Sequence, residues 1–161
     1  MTFATDLIEG ARNLILNCAE LQKEETVLII SEDPEFGWYD ADVTDVLVQE
    51  VSRMGIKPTL LKVGRPTNDK NTSVIDAVGR HDCTIFLSRI GDQDRFESIA
   101  PGKKTIMCYT RNAHMLASSY GRANYKAFLH LKQAINDILF EAGTVRITCD
   151  CGSDISGKVP R

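Results

Sequence analysis

Three arginines recur just past short apolar runs: Val63-Gly64-Arg65, Leu87-Ser88-Arg89 and Tyr109-Thr110-Arg111. A guanidinium is a planar fork of donors, and such a fork grips a carboxylate through two parallel hydrogen bonds. His114 follows soon after the last of them. If the three runs are strands of one open parallel sheet, the loops after them share an edge, and ligands bind at that edge. Arg65, Arg89, Arg111 and His114 are therefore the candidate ligand-binding residues, suited to an anion. The competing reading is that they are ordinary solvated loop charges.

Other chemistries fit less well. A dinucleotide site needs glycines in the first strand–helix turn, where backbone meets pyrophosphate. That turn reads "SEDPEFGWYD" and offers acids instead, and no Walker loop occurs. Glu32 and Asp33 follow the first strand as the acidic pair of a phospho-receiver would, but Ser88 stands where the phospho-accepting Asp should be. The acidic turn is read as solvated. Cys149 and Cys151 could share one ion if their strand continues through both, since residues i and i+2 face the same way. Structural zinc needs about four ligands, and no second pair exists. The histidines, His81, His114 and His130, suggest no Ser-His-Asp arrangement. His130 is read as structural and His81 as solvent-facing. We expect no catalytic residues, no metal and no cofactor in this chain.

The elements that must position these residues follow from periodicity. Phe3, Leu7, Ile8, Ala11, Leu14, Ile15 and Cys18 recur at three- and four-residue steps and predict a helix ending near Leu21. "TVLII" at Thr26 to Ile30 is a β-branched run followed by a breaker cluster. A second helix carries Val43, Val46, Leu47, Val51 and Met54 on one face, with Asp40 as N-cap and Gly55 as its stop. Pro58 to Val63, Cys83 to Ser88 and Lys104 to Tyr109 read as further strands. Short helices are expected at Thr72 to Val78, at Asp92 to Ala100 and from about Asn112. A long helix follows, with Tyr125, Phe128, Leu131, Ile135, Ile138 and Leu139 on one face, and Gly143 ends it. Strands that alternate with helices and read as continuous apolar runs argue for a parallel sheet covered on both faces. The expectation is a three-layer, Rossmann-like or flavodoxin-like α/β domain over residues 1–142. Residues 143–161 add a β-hairpin.

At 161 residues the chain suits one ordinary domain. A net charge of −3 gives a nucleic-acid partner no electrostatic footprint. The five cysteines are odd in number and three lie in apolar runs, which fits a reducing compartment. Asp6 and Glu9 interrupt the place of a signal peptide, and no stretch has the length of a membrane span. The reading is a cytoplasmic protein with no membrane partner.

The order of elements is familiar when joined to two stretches, "ARNLILNCAELQKEETVLII" at Ala11 to Ile30 and "VRITCDCGSDISGKV" at Val145 to Val159. Together they resemble the N-terminal domain of the aminopeptidase T family of metallopeptidases, and equally that of the related 2,5-dihydroxypyridine dioxygenases. Gly152, Ser153 and Asp154 stand at that family's Gly-Thr/Ser-Asp turn, where the chain crosses into a second domain. The resemblance implies metal ligands in that second domain, at positions with no counterpart here. It implies a naturally short, non-catalytic binding or scaffold protein, with a peptide or an acidic small molecule of a biosynthetic pathway as ligand. The alternative is an N-terminal fragment of a metal-dependent aminopeptidase or ring-cleaving dioxygenase. A hairpin alone is marginal in water. Val145, Ile147 and Cys149 on one strand and Ile155 and Val159 on the other are therefore the candidate interface, for a second copy or for an added peptide strand.

Overall fold

The computed structural model describes residues 2–67, 71–92 and 101–159. They fall into two compact units, Met1–Ala123 and Asn124–Arg161. The predicted boundary at residue 143 divides the second unit between its helix and its hairpin.

The first unit is a four-stranded parallel sheet with helices on both faces. Its strands are β1 (Val27–Glu32), β2 (Thr59–Val63), β3 (Cys83–Leu87) and β4 (Lys104–Met107), in the order β2-β1-β3-β4. β1 and β3 are central, and alternate side chains enter opposite cores. Val27 and Ile29 of β1, with Cys83, Ile85 and Leu87 of β3, pack under α1 (Phe3–Arg12), α2 (Ala41–Arg53) and α4 (Ala113–Ala117). Leu28 and Ile30 pack on the other face with Val63 and with Val74 and Ala77 of α3 (Thr72–Arg80). This is the predicted three-layer fold.

Several local expectations are refined. The first helix changes after Arg12 into a π-helical turn at Asn13–Cys18, and Glu20 then takes a left-handed φ of 45° that stops it. Asp40 stands at the N-cap of α2 without a side-chain cap bond, and Gly55 follows the helix with φ 83°. β2 is not covered on both faces: it is an edge strand, and Leu60 is exposed. His81 is not purely solvent-facing, since its ring nitrogens bridge the Ala77 carbonyl at 2.7 Å and the Thr59 hydroxyl at 3.0 Å. The helix expected at Asp92 to Ala100 lies outside the described residues except for Asp92, which ends a 3₁₀ turn at Arg89–Asp92.

The second unit contains α5 (Tyr125–Glu141) and an antiparallel hairpin of β5 (Thr144–Thr148) and β6 (Asp154–Lys158). Asn124 caps α5 by accepting from Ala127 N–H. Phe128, Leu131, Ile135 and Ile138 recur along it at the 3-4-3 spacing of a coiled-coil seam, and all four are exposed. His130 is exposed on the same helix and not part of a core. Among the described residues, no helix is long and apolar enough to cross a membrane.

Candidate functional site

The strand order reverses between β1 and β3. β2 lies on one side of β1, and the chain then crosses to build β3 and β4 on the other. At such a reversal the loops leaving the two central strands diverge and open a crevice. Glu32 ends β1 there and Arg89 follows β3.

Glu32 overturns the reading of its loop as a solvated turn. Its residue is 1% exposed: on one side Glu32 pairs with Val63 of β2, and on the other the pairing with β3 runs as far as Ser31. A buried carboxylate must be paired. Arg89 supplies the pairing: its backbone N–H donates to Glu32 Oε2 at 2.9 Å and its Nε to Oε1 at 2.9 Å, with Nη2 completing the fork. The carboxylate raises the Arg89 pKa further above its ordinary value. Asp33 is the turn residue that was expected: its carboxylate accepts Glu35 N–H and starts the 3₁₀ turn Pro34–Phe36.

The first loop then crosses to β4. Tyr39 is buried, and its hydroxyl donates to the Cys108 carbonyl at 2.9 Å. Burial pushes its phenol pKa up. Asp40 N–H donates to the Arg111 carbonyl at 2.9 Å, and Asp42 accepts Ala113 N–H at 3.2 Å. In return, Arg111 Nε donates to the Trp38 carbonyl at 2.6 Å and Nη2 to the Gly37 carbonyl at 3.1 Å. The first and fourth loops are thereby stitched together over the end of β3.

Trp38, the single tryptophan, sits in the middle of this arrangement and is 45% exposed. The guanidinium carbons of Arg89 and Arg111 each lie 4.7 Å from its ring centroid, within cation–π range. Arg65 lies 5.1 Å from the centroid of Phe36 in the same loop. Ser88 is fully buried, and its hydroxyl has no hydrogen-bond partner among the described residues.

The structure therefore brings Arg89 and Arg111 together on one indole. Arg65 sits at the next loop on its own aromatic ring. His114 has a different aromatic neighbour: its ring lies tilted against Phe3 of α1, with centroids 4.7 Å apart. Glu32, Phe36 and Trp38 were missed as site residues. The signal for Phe36 and Trp38 was the aromatic density of "FGWYD"; for Glu32 there was none, since the register of Ser31 with Leu87 that sets it beside the residues following β3 belongs to the fold.

Ile147 opposes Ile155, Val145 opposes Gly157, and Val159 N–H reaches the Gly143 carbonyl at 3.4 Å. Ile147 and Ile155 are 60% and 65% exposed. On the other face Arg146 binds Asp154 through two parallel bonds of 2.8 and 2.7 Å. β5 ends at Thr148, so Cys149 and Cys151 lie in a turn and not along one strand. Among the described residues, no three His, Cys, Asp or Glu side chains converge as metal ligands.

No protein-family model matches the sequence, and neither does any curated protein. A solved structure, that of a 2,5-dihydroxypyridine dioxygenase from Pseudomonas putida KT2440, is similar in fold. It matches with a TM-score of 0.65 at 12% identity, over 99% of this chain and 48% of that one. The likeness is one of fold, and this chain spans about half the length of that enzyme.

Proposed function

We propose that this chain is a non-catalytic binding module whose site is the C-terminal edge of the sheet, around Trp38. The observation that supports this reading is the pair of guanidinium groups held against one exposed indole at the strand-order reversal. Arg111 is held by backbone carbonyls through two of its three nitrogens, which fixes its direction while the third can still donate. An acidic small molecule or a peptide's terminal carboxylate matches that donor, and the indole offers a flat apolar surface beside it. Arg89 acts differently, because Glu32 already neutralises it. Its part is to hold Trp38.

Calorimetric titration with a short peptide, as free acid and as amide, tests the reading. The free acid is expected to bind and the amide to bind more weakly. Arg111→Ala should cost about 1.5–3 kcal/mol in affinity for the acid, the range of a charged hydrogen bond. Trp38→Ala should weaken both forms. Equal binding of acid and amide, unaffected by Arg111→Ala, would remove the site. A second reading, part of a metal-dependent dioxygenase, draws on the fold similarity alone, and part of an aminopeptidase is its variant from the sequence resemblance. Ring cleavage or amide hydrolysis by this chain supplied with iron or zinc would establish it.

The same proposal includes a second copy as partner, seated on α5. The basic residues Lys126, His130 and Lys132 occupy the first half of the helix and Asp137 and Glu141 the second. This order opposes the helix dipole, which favours acids at the start and bases at the end. Two copies packed antiparallel would set each basic half against an acidic one and close the exposed seam of Phe128, Leu131, Ile135 and Ile138. Light scattering should give a dimer for the wild type and a monomer for Ile135→Asp. A monomeric wild type would overturn this, and a dimer broken only by Ile147→Asp would move the interface to the hairpin.

A further inference from the structure

Arg65 differs from the other two arginines of the edge in what occupies its donors. Glu32 neutralises Arg89, and two nitrogens of Arg111 donate to the carbonyls of Trp38 and Gly37. Arg65 is exposed, and its guanidinium carbon lies 5.1 Å from the centroid of Phe36. Among the described residues it makes no hydrogen bond and no ion pair. A ring face attracts a cation without consuming its N–H groups. Phe36 therefore holds Arg65 in place and leaves its fork of donors open to an anion.

Two cations are thus mounted on one loop, although they come from opposite ends of the sheet. Arg65 follows β2 and Arg111 follows β4, three strand spacings or about 14 Å apart. The loop after β1 gathers them. Phe36 and Trp38 stand two residues apart in it, at most about 7 Å along the chain. They hold Arg65 and Arg111 at 5.1 and 4.7 Å from their ring centroids. The open donors are then separated by on the order of 10 Å. Between the two rings is Gly37, exposed and with φ 69°. A Cβ there would meet nothing within 4 Å. The strip from one ring to the other is open and carries no side chain.

A single carboxylate cannot bridge such a gap. An extended peptide can, because it advances about 3.3 Å per residue and three residues cover about 10 Å. We propose that the edge site reads two carboxylates of one extended peptide. The terminal carboxylate meets Arg111, the side chain of a Glu or Asp two or three residues upstream meets Arg65, and the backbone between them crosses Gly37. This rests on the reading of Trp38 and Arg111 as a carboxylate site, and it narrows the ligand to a short peptide with an acidic residue near its free C-terminus. Asp33 and Glu35 share the loop and oppose a second anion, so the contact with Arg65 adds selectivity more than affinity.

The probes are acetyl-Ala-Glu-Ala-Ala and acetyl-Ala-Gln-Ala-Ala, each as free acid and as amide, titrated calorimetrically at low salt. The wild type should bind the Glu acid about fivefold more tightly than the Gln acid, the effect of an exposed ion pair at the top of its usual range. High salt should shrink the difference. Arg65→Ala should abolish the preference for Glu over Gln and keep the preference for acid over amide. Arg111→Ala should lose the preference for acid over amide. Equal binding of the Glu and Gln acids by the wild type, with acid still preferred to amide, would overturn the two-carboxylate proposal and leave the edge site standing. A preference for Glu that survives Arg65→Ala would overturn it as well. Equal binding of acid and amide by the wild type would remove the edge site itself, and this proposal with it.

Discussion

Arg89→Ala is expected to lower the unfolding free energy by about 3–5 kcal/mol, the cost of leaving a buried charge without its partner. The two ends of this pair are not equivalent. The Glu32 side chain is 0% exposed and that of Arg89 is 28% exposed. Without Arg89, Glu32 has no route to water from the end of a central strand. It also loses its guanidinium bonds and keeps only the backbone N–H of residue 89. Without the Glu32 charge, the longer Arg89 side chain can turn its head outward while its stem stays packed. Glu32→Gln is therefore expected to cost less, about 1–3 kcal/mol. The double change Arg89→Met with Glu32→Leu removes both charges and should recover most of the loss, since paired buried charges barely exceed their desolvation cost. Urea unfolding of the four proteins measures this. A loss below about 1 kcal/mol for Arg89→Ala would mean that the pair behaves as a solvated surface bridge.

Gly10→Ala is expected to cost about 3 kcal/mol or more, at or beyond the top of the usual range for overpacking. In an isolated helix the same change would help, because glycine weakens a helix interior by about 0.5–1 kcal/mol relative to alanine. At Gly10 the sign reverses. A Cβ there would stand 2.0 Å from the Leu116 carbonyl oxygen and 2.8 Å from its carbon, so backbone and not a movable side chain must give way. α1 would have to lift from α4, and Leu116 is 1% exposed in the core between them. Gly79 is the control. It lies in α3, where a Cβ meets nothing within 4 Å, and Gly79→Ala should stabilise by about 0.4–1 kcal/mol. Thermal melts of the two variants should move in opposite directions. Equal shifts would mean that α1 and α4 are not held at this approach.

The Glu32–Arg89 pair also corrects a simple view of the edge site. Arg65 and Arg89 stand two residues past β2 and β3, Arg111 stands four past β4, which ends at Met107 and not at Tyr109, and each has a different surrounding. Arg89 is neutralised by a carboxylate, Arg111 is held by two carbonyls, and Arg65 rests on Phe36. Counting them as three equivalent positive charges would overstate the attraction for an anion. Asp33, Glu35, Asp40 and Asp42 also lie in or beside the first loop.

The sequence by itself determined the kinds and order of the elements. The β-branched apolar runs at Val27 to Ile30 and Cys83 to Leu87 read as strands covered on both faces. The four-residue steps of Val43, Leu47 and Val51 read as one buried helical stripe. Such periodicities are local, and tertiary packing met them with little change. The spacing of apolar residues in α5 was equally legible, but it reports that a face is apolar and not what covers it.

Tertiary structure alone decided what lies next to what. The order β2-β1-β3-β4 places the first and fourth loops side by side although some seventy residues separate Trp38 from Arg111, as their hydrogen bond records. It made β2 an edge, so that an apolar run carries an exposed Leu60. It drew Glu32 out of water, because a charge on a strand end is solvated or buried according to the strands beside it, and no local pattern encodes those neighbours. It also turned the chain after Thr148, which took Cys149 and Cys151 off the strand. Residue types announce which chemistry a site can attempt. Burial and proximity, set by contacts distant in the chain, decide which residue carries it.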